Sequence, residues 1–194
     1  MTYLILAVGS FAPVARRFLQ PVELNPGGPS FDEATQFSDE AKLRLRQNFE
    51  RIHGTLVFWK TRAERYRALR TYSLFWMGVS AVLVPILAQG ITADHWSKWL
   101  VTVISGHSAI MLTLVRTFRV EANYQTFRDG ESDFYDLYRR MLDRPESFGS
   151  TEEERLRRYF EQVEFIRKVV RSAETDNTPS LEGVVASPPP ATTA

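Results

Sequence analysis

The 194-residue chain has no cysteine. That rules out disulfides, thiolate metal sites and a cysteine nucleophile, and it leaves the redox compartment undefined. Histidine is almost as scarce. His53, His95 and His107 lie far apart in different regions, so a histidine metal cluster is not expected. No glycine-rich phosphate loop and no dinucleotide fingerprint is present. No Ser-His-Asp grouping has supporting context, and the run Glu152-Glu153-Glu154 reads as a solvated helix start. The net charge is +1, which for the chain as a whole argues against nucleic acid as a partner. The chain is therefore not expected to be an enzyme, and no catalytic residue, cofactor or metal site is assigned.

Charge itself is missing where it matters most. Thr71 to Ala93 passes 23 residues without Asp, Glu, Lys, Arg or His, and Trp99 to Val115 is 17 residues with His107 as its one titratable group. At the helical rise these stretches extend about 35 and about 26 Å, against a hydrocarbon core of about 30 Å. Only Asp94 to Lys98 separates them. The overall hydrophobic content of 44% conceals this, because the flanks are highly charged. The expectation is an all-α protein: a two-span transmembrane helical hairpin continuous with long cytoplasmic helices. A buried hairpin in a soluble helical protein is the rival, but core helices of that kind usually keep a polar face.

The flanks suit a bilayer. Tyr72 and Trp76 stand at one end of the first span, and Trp96 and Trp99 stand around the hairpin tip. Aromatic residues at both boundaries are what membrane interfaces attract. Arg51, Lys60, Arg62, Arg65, Arg67 and Arg70 precede the first span, Arg116, Arg119 and Arg128 follow the second, and Lys98 alone is at the tip. Nine cations against one predict both termini in the cytoplasm. For a bacterial protein this means the inner membrane, with Arg67, Arg70, Tyr72, Trp76, Trp96, Trp99 and Arg116 as interface anchors. The basic run from Lys60 to Arg70 is read as a topology signal touching anionic headgroups, with recognition of nucleic acid or acidic lipid as the alternative.

Within the spans, Gly78, Ala81, Pro85 and Ala88 form one stripe of small residues, and Thr102, Ser105, Ala109 and Thr113 form another. Lipid provides no hydrophobic drive between helices, so small faces that pack closely mark contacts, within the hairpin or between subunits. Pro85 removes a backbone hydrogen bond and predicts a kink in the first span. His107 sits at the midpoint of the second span, where a titratable group needs a partner or water. It is either a pore-lining or pH-sensing residue, or a neutral imidazole bonded to Ser80, Ser105 or Ser108. A two-helix protomer encloses little, so conduction would require a homo-oligomer. Ser105, His107, Ser108 and Thr113 are the candidate lining, although they do not all share one face. Ser105-Gly106-His107-Ser108 is not a potassium-filter sequence. The tip Ala93-Asp94-His95-Trp96 lacks the Gly-Met-Asn of CorA-type magnesium channels.

Outside the spans, residues 1–37 are expected to be poorly ordered, with a mildly apolar start interrupted by Pro13 and a loop rich in Pro and Gly at 20–37. Ser38 is the expected N-cap of a long helix with Asp39 and Glu40 in its first turn. Its apolar residues Leu45, Phe49, Ile52, Leu56, Trp59, Ala63 and Tyr66 repeat at coiled-coil spacing. After the second span the helix is expected to continue through Phe118, with a break or kink at Asp129-Gly130. Ser150 with Glu153 has capping-box spacing and opens a last helix with the seam Leu156, Tyr159, Val163, Ile166 and Val170. These helices could hold subunits in register, or the last could fold back on the first. The two-span domain is placed at 38–174, and the Thr-, Ser- and Pro-rich tail 175–194 is expected to be disordered.

A basic aromatic helix, Trp59-Lys60-Thr61-Arg62-Ala63-Glu64-Arg65-Tyr66-Arg67, leads into the hairpin. Directly after it come Arg116-Thr117-Phe118-Arg119-Val120-Glu121-Ala122-Asn123-Tyr124, the acidic aromatic segment Phe134-Tyr135-Asp136-Leu137-Tyr138, and a charged helix from Glu152 to Lys168. Over roughly residues 45–172 this layout resembles the SLATT domains, two-transmembrane effectors associated with SMODS nucleotidyltransferases and SLOG sensors. The resemblance implies a role in bacterial defence, perturbing the membrane once a nucleotide or related signal arrives. It also implies a cytoplasmic sensor or nucleotide-signal partner, since no such domain is attached here. A non-conducting scaffold, with the cytoplasmic helices as a docking platform, is the alternative.

Overall fold

The computed structural model describes residues 2–20, 22–24, 30–89 and 95–177. Among these the chain is all-α, with five helices: α1 (Thr2–Leu19), α2 (Asp39–Gln89), α3 (His95–Thr117), α4 (Val120–Asp143) and α5 (Glu152–Asn177). The hairpin tip at 90–94 and the tail beyond 177 lie outside the described residues.

α2 organises the molecule. At 51 residues it runs about 77 Å, and it changes character near Arg70. Its charged half buries one stripe, Leu45, Ile52, Leu56, Trp59 and Ala63, with Phe49 and Tyr66 packed alongside. The seam therefore closes within one chain. It meets Phe127, Phe134, Leu137 and Met141 of α4 and Leu156, Tyr159, Val163 and Val170 of α5 in a three-helix bundle. Each large apolar side chain buried there stabilises by about 1.5–3 kcal/mol. The apolar half of α2 leaves the bundle, passes Pro85 and pairs with α3.

Ser38 caps α2 as expected. Its Oγ accepts from the Ala41 N–H at 3.2 Å, and it also donates to Glu152 Oε1 at 2.6 Å, while the Ser38 N–H donates to Glu152 Oε2 at 2.9 Å. The starts of α2 and α5 are thus tied together. These bonds, the side-chain one foremost, hold the Glu152 carboxyl below its usual range. At α5 the cap is Thr151, one residue later than the expected Ser150, and the carboxylate of Glu154 accepts from the residue before the cap and not from the cap itself. Thr151 Oγ1 accepts from the Glu154 N–H, and Glu154 Oε2 reaches back to the Ser150 N–H.

Three expectations are corrected. Residues 2–19 are helical, and α1 buries Ala7 and Val14 against α2. Of the loop that follows, Phe31, Ala34 and Phe37 enter the bundle core, with the Phe31 ring 4.4 Å from that of Tyr138. The helix after the second span breaks at Phe118-Arg119, not at Asp129-Gly130. Arg119 is left-handed, with φ 43° and ψ 47°. The buried Asn123 donates its Nδ2–H to the Phe118 carbonyl at 2.9 Å, and the Arg119 side chain donates to the Asp176 carbonyl at the end of α5 at 2.9 Å. This corner turns the chain from the apolar hairpin into the bundle. Gly130 lies inside the uninterrupted α4, where a Cβ would overlap Val170 Cγ2 and approach Trp59 Cε3 to 3.5 Å. It is a close-packing glycine.

Candidate functional site in the apolar hairpin

α2 and α3 are each long and apolar enough to cross a membrane, and only 22% and 6% of their most apolar 18-residue windows are buried. Leu74, Phe75, Val82, Ile86, Trp99 and Ile110, on the apolar half of α2 and on α3, are all more than half exposed. A core helix of a soluble protein would cover such residues.

A polar cluster lies inside this apolar region, and α1 completes it. α1 runs antiparallel to α2, because Tyr3 meets Ser80, Ser10 meets Trp76, and Arg17 meets Glu64. The Tyr3 hydroxyl is 2.9 Å from His107 Nδ1 and 3.2 Å from Ser80 Oγ. The Tyr3 hydroxyl thus links the imidazole of His107 to the hydroxyl of Ser80, donating to one neighbour while it accepts from the other. Trp76 donates from Nε1 to Ser10 Oγ at 2.9 Å, and Ser10 donates on to the Ala7 carbonyl at 3.1 Å. Tyr72 donates to the same carbonyl at 3.0 Å. The rings of Tyr3, Trp76 and His107 meet edge to face at 5.0–5.9 Å. A polar group away from water must find such partners or lose several kcal/mol, about 2–7 by transfer measurements.

The candidate residues separate accordingly. His107 is half-buried against α1, so its partner is Tyr3 with Ser80 beyond it. Ser108 is half-buried and bonded to the Ile104 carbonyl. Ser105 and Thr113 face outward, the latter bonded to the Ala109 carbonyl. Gly78 and Pro85 are exposed, and nothing lies within 4 Å of a Cβ built on Gly78. Neither small-residue stripe forms the hairpin contact, which is made instead around Ser73, Trp76, Ser80 and Ile104. Tyr72 and Trp76, expected as interface anchors, are buried under α1 because their polar ends find its carbonyl and hydroxyl. Trp96 and Trp99 are exposed. Arg70 forms an ion pair with Glu121, and Arg67 lies 3.6 Å from Glu64. Arg116 is exposed in the last turn of α3.

Tyr3 and Ser10 are the site residues that sequence reasoning missed. Tyr3, Ala7, Ser10 and Val14 recur at steps of 4, 3 and 4, a helical stripe that Pro13 obscured. Between α1 and α2 runs a groove of about 620 Å³, apolar along Tyr72, Phe75 and Trp76 and charged at one end by Arg17, Arg67 and Glu64. No three metal-ligating side chains converge among the described residues. Comparison of the chain with protein-family models, with curated proteins and with solved structures gives no match.

Proposed function

We propose that the protein spans the bilayer twice, through α2 and α3, with both termini in the cytoplasm, and acts as a homo-oligomeric, membrane-perturbing effector of bacterial defence. The observation that carries the membrane part is the uncovered apolar surface along both helices. In water each exposed Å² would cost about 25 cal/mol, and in lipid it costs nothing. The defence role comes from the resemblance to SLATT domains. Homo-oligomerisation is supported by the outward small residues Gly78, Ala81, Thr102, Ser105, Ala109 and Thr113, exposed in the single chain.

In this reading a cytoplasmic signal, from a sensor or a nucleotide, repacks the three-helix bundle. The continuous α2 carries that change into the membrane. A path between subunits is lined by the outward stripe of α3, with Ser105 and Thr113, while His107 stays engaged with Tyr3. The second reading, a non-conducting scaffold, is favoured by that engagement, which leaves the one mid-span titratable group already occupied.

Carbonate-resistant pelleting with membranes tests insertion, and recovery in the soluble fraction would refute it. Ion flux from liposomes holding the purified protein tests permeation. Flux lost in Ser105→Leu/Thr113→Leu and retained in Leu74→Ala supports the pore. No flux from fully incorporated wild-type protein, with and without cell extract as a source of signal, supports the scaffold.

A further inference from the structure

The groove between α1 and α2 has a polarity gradient along its length. At one end Arg17 Nη1 lies 3.4 Å and Arg67 Nη1 3.6 Å from the carboxylate of Glu64. Two guanidinium groups share one carboxylate, so a unit of positive charge and several N–H donors remain unfilled. Both side chains are mostly exposed, at 59% and 64%. Along the groove from these cations, the wall becomes Tyr72, Phe75 and Trp76. Arg67 lies four residues before Thr71, where the charge-free stretch begins. The cations therefore stand where the headgroup layer meets the hydrocarbon, and the aromatic wall continues inward. The volume, about 620 Å³, falls among sites that hold extended small molecules.

We propose that this groove binds one anionic phospholipid of the cytoplasmic leaflet, its phosphate on Arg17 and Arg67 and an acyl chain along Tyr72, Phe75 and Trp76. The inference rests on the membrane reading above. Arginine presents paired donors to phosphate oxygens, and a phosphate here would compete with Glu64 for them. The same ligand fills the seam between α1 and the hairpin, so it bears on how firmly α1 is held.

The test uses the full chain in lipid nanodiscs, with Trp96→Phe and Trp99→Phe leaving Trp59 and Trp76. Trp59 is buried in the bundle, away from lipid, so acyl-chain quenching reports on Trp76. Brominated phosphatidylglycerol as a minor component of phosphatidylcholine is compared with the same fraction of brominated phosphatidylcholine. One unfilled cation predicts about fivefold local enrichment of the anionic lipid. Glu64→Gln frees the second cation and should raise the enrichment about fivefold again, a gain that misfolding does not produce. Arg17→Gln/Arg67→Gln should erase the preference, and Arg17→Lys/Arg67→Lys should keep most of it. Equal quenching by the two lipids, or a preference indifferent to Glu64→Gln, overturns the proposal. Loss of the preference on adding inorganic phosphate also overturns it, in favour of a soluble phosphate ligand. Trp96 and Trp99 report separately in a Trp76→Phe chain, where the remaining Trp59 is buried in the bundle. If brominated phosphatidylcholine does not quench them, the membrane reading fails as well; if it does, only the groove is in question.

Discussion

Substituting Gly130 distinguishes a helix break from a close contact by the sign of one number. A mid-helix glycine costs about 0.8–1.0 kcal/mol relative to alanine. Were Gly130 a break or an unconstrained position, Gly130→Ala would stabilise by about that amount. In the structure a new Cβ overlaps Val170 Cγ2. Val170 is 4% exposed in α5, and a valine on a helix has one strongly preferred rotamer, so the methyl cannot turn aside cheaply. Overpacking of this kind costs about 1–3 kcal/mol, leaving Gly130→Ala destabilising by about 1 kcal/mol. Val170→Ala alone should cost about 2 kcal/mol, from two methyl groups and the space they leave. With Val170→Ala present, the Gly130→Ala methyl has room, and the propensity gain of about 1 kcal/mol returns. The double-mutant cycle should then show a coupling of about 2 kcal/mol in favour of the pair. Chemical denaturation of the full chain in mild detergent, followed by circular dichroism, measures all four corners. Equal stabilisation by Gly130→Ala in both backgrounds would refute the close approach of α4 to α5.

Further expectations follow from the contacts described. Tyr3→Phe removes the hydroxyl that joins His107 to Ser80, worth about 1 kcal/mol per bond. Amide exchange over residues 3–11 should accelerate by about tenfold or more, and unchanged exchange would mean that α1 is held by its apolar contacts alone. Ser38→Ala should cost about 1 kcal/mol through loss of the α2 cap. It should also flatten the acid dependence of stability. The folded Glu152 carboxyl is depressed by Ser38, so its contribution is complete above the unfolded carboxylate range and is lost as pH falls through the lower folded value. Solvent keeps that contribution small. Glu152→Gln should flatten the same acid limb of a denaturation-against-pH series. A wild-type curve parallel to both variants would sink the Ser38–Glu152 link.

Local pattern was enough for the elements it governs. The recurring apolar residues from Leu45 to Tyr66 announced a helix with one buried stripe, Ser38 announced its cap, and the charge-free stretches announced two apolar rods. Each of these follows from neighbours three or four positions away. The failures involve distant partners. Pro13 weakened the case for a first helix, because proline lacks the N–H of a helix interior, yet Ala7 and Val14 pack on α2, and Tyr72 and Trp76 of α2 donate to the Ala7 carbonyl and the Ser10 hydroxyl. Asp129-Gly130 had the composition of a break. α4 runs through it because α5 approaches so closely that only glycine fits. The true corner at Arg119 has no glycine to mark it, and its left-handed backbone is held by Asn123 and by the end of α5. Sequence alone determined the helical class, the two apolar rods and the asymmetry of charge about them, since these depend on residue type and period. Tertiary structure alone decided that the seams close within one chain, that α1 lies against the hairpin, and that His107 is met by Tyr3. A hydrogen bond between residues 104 positions apart leaves no periodic trace in the chain.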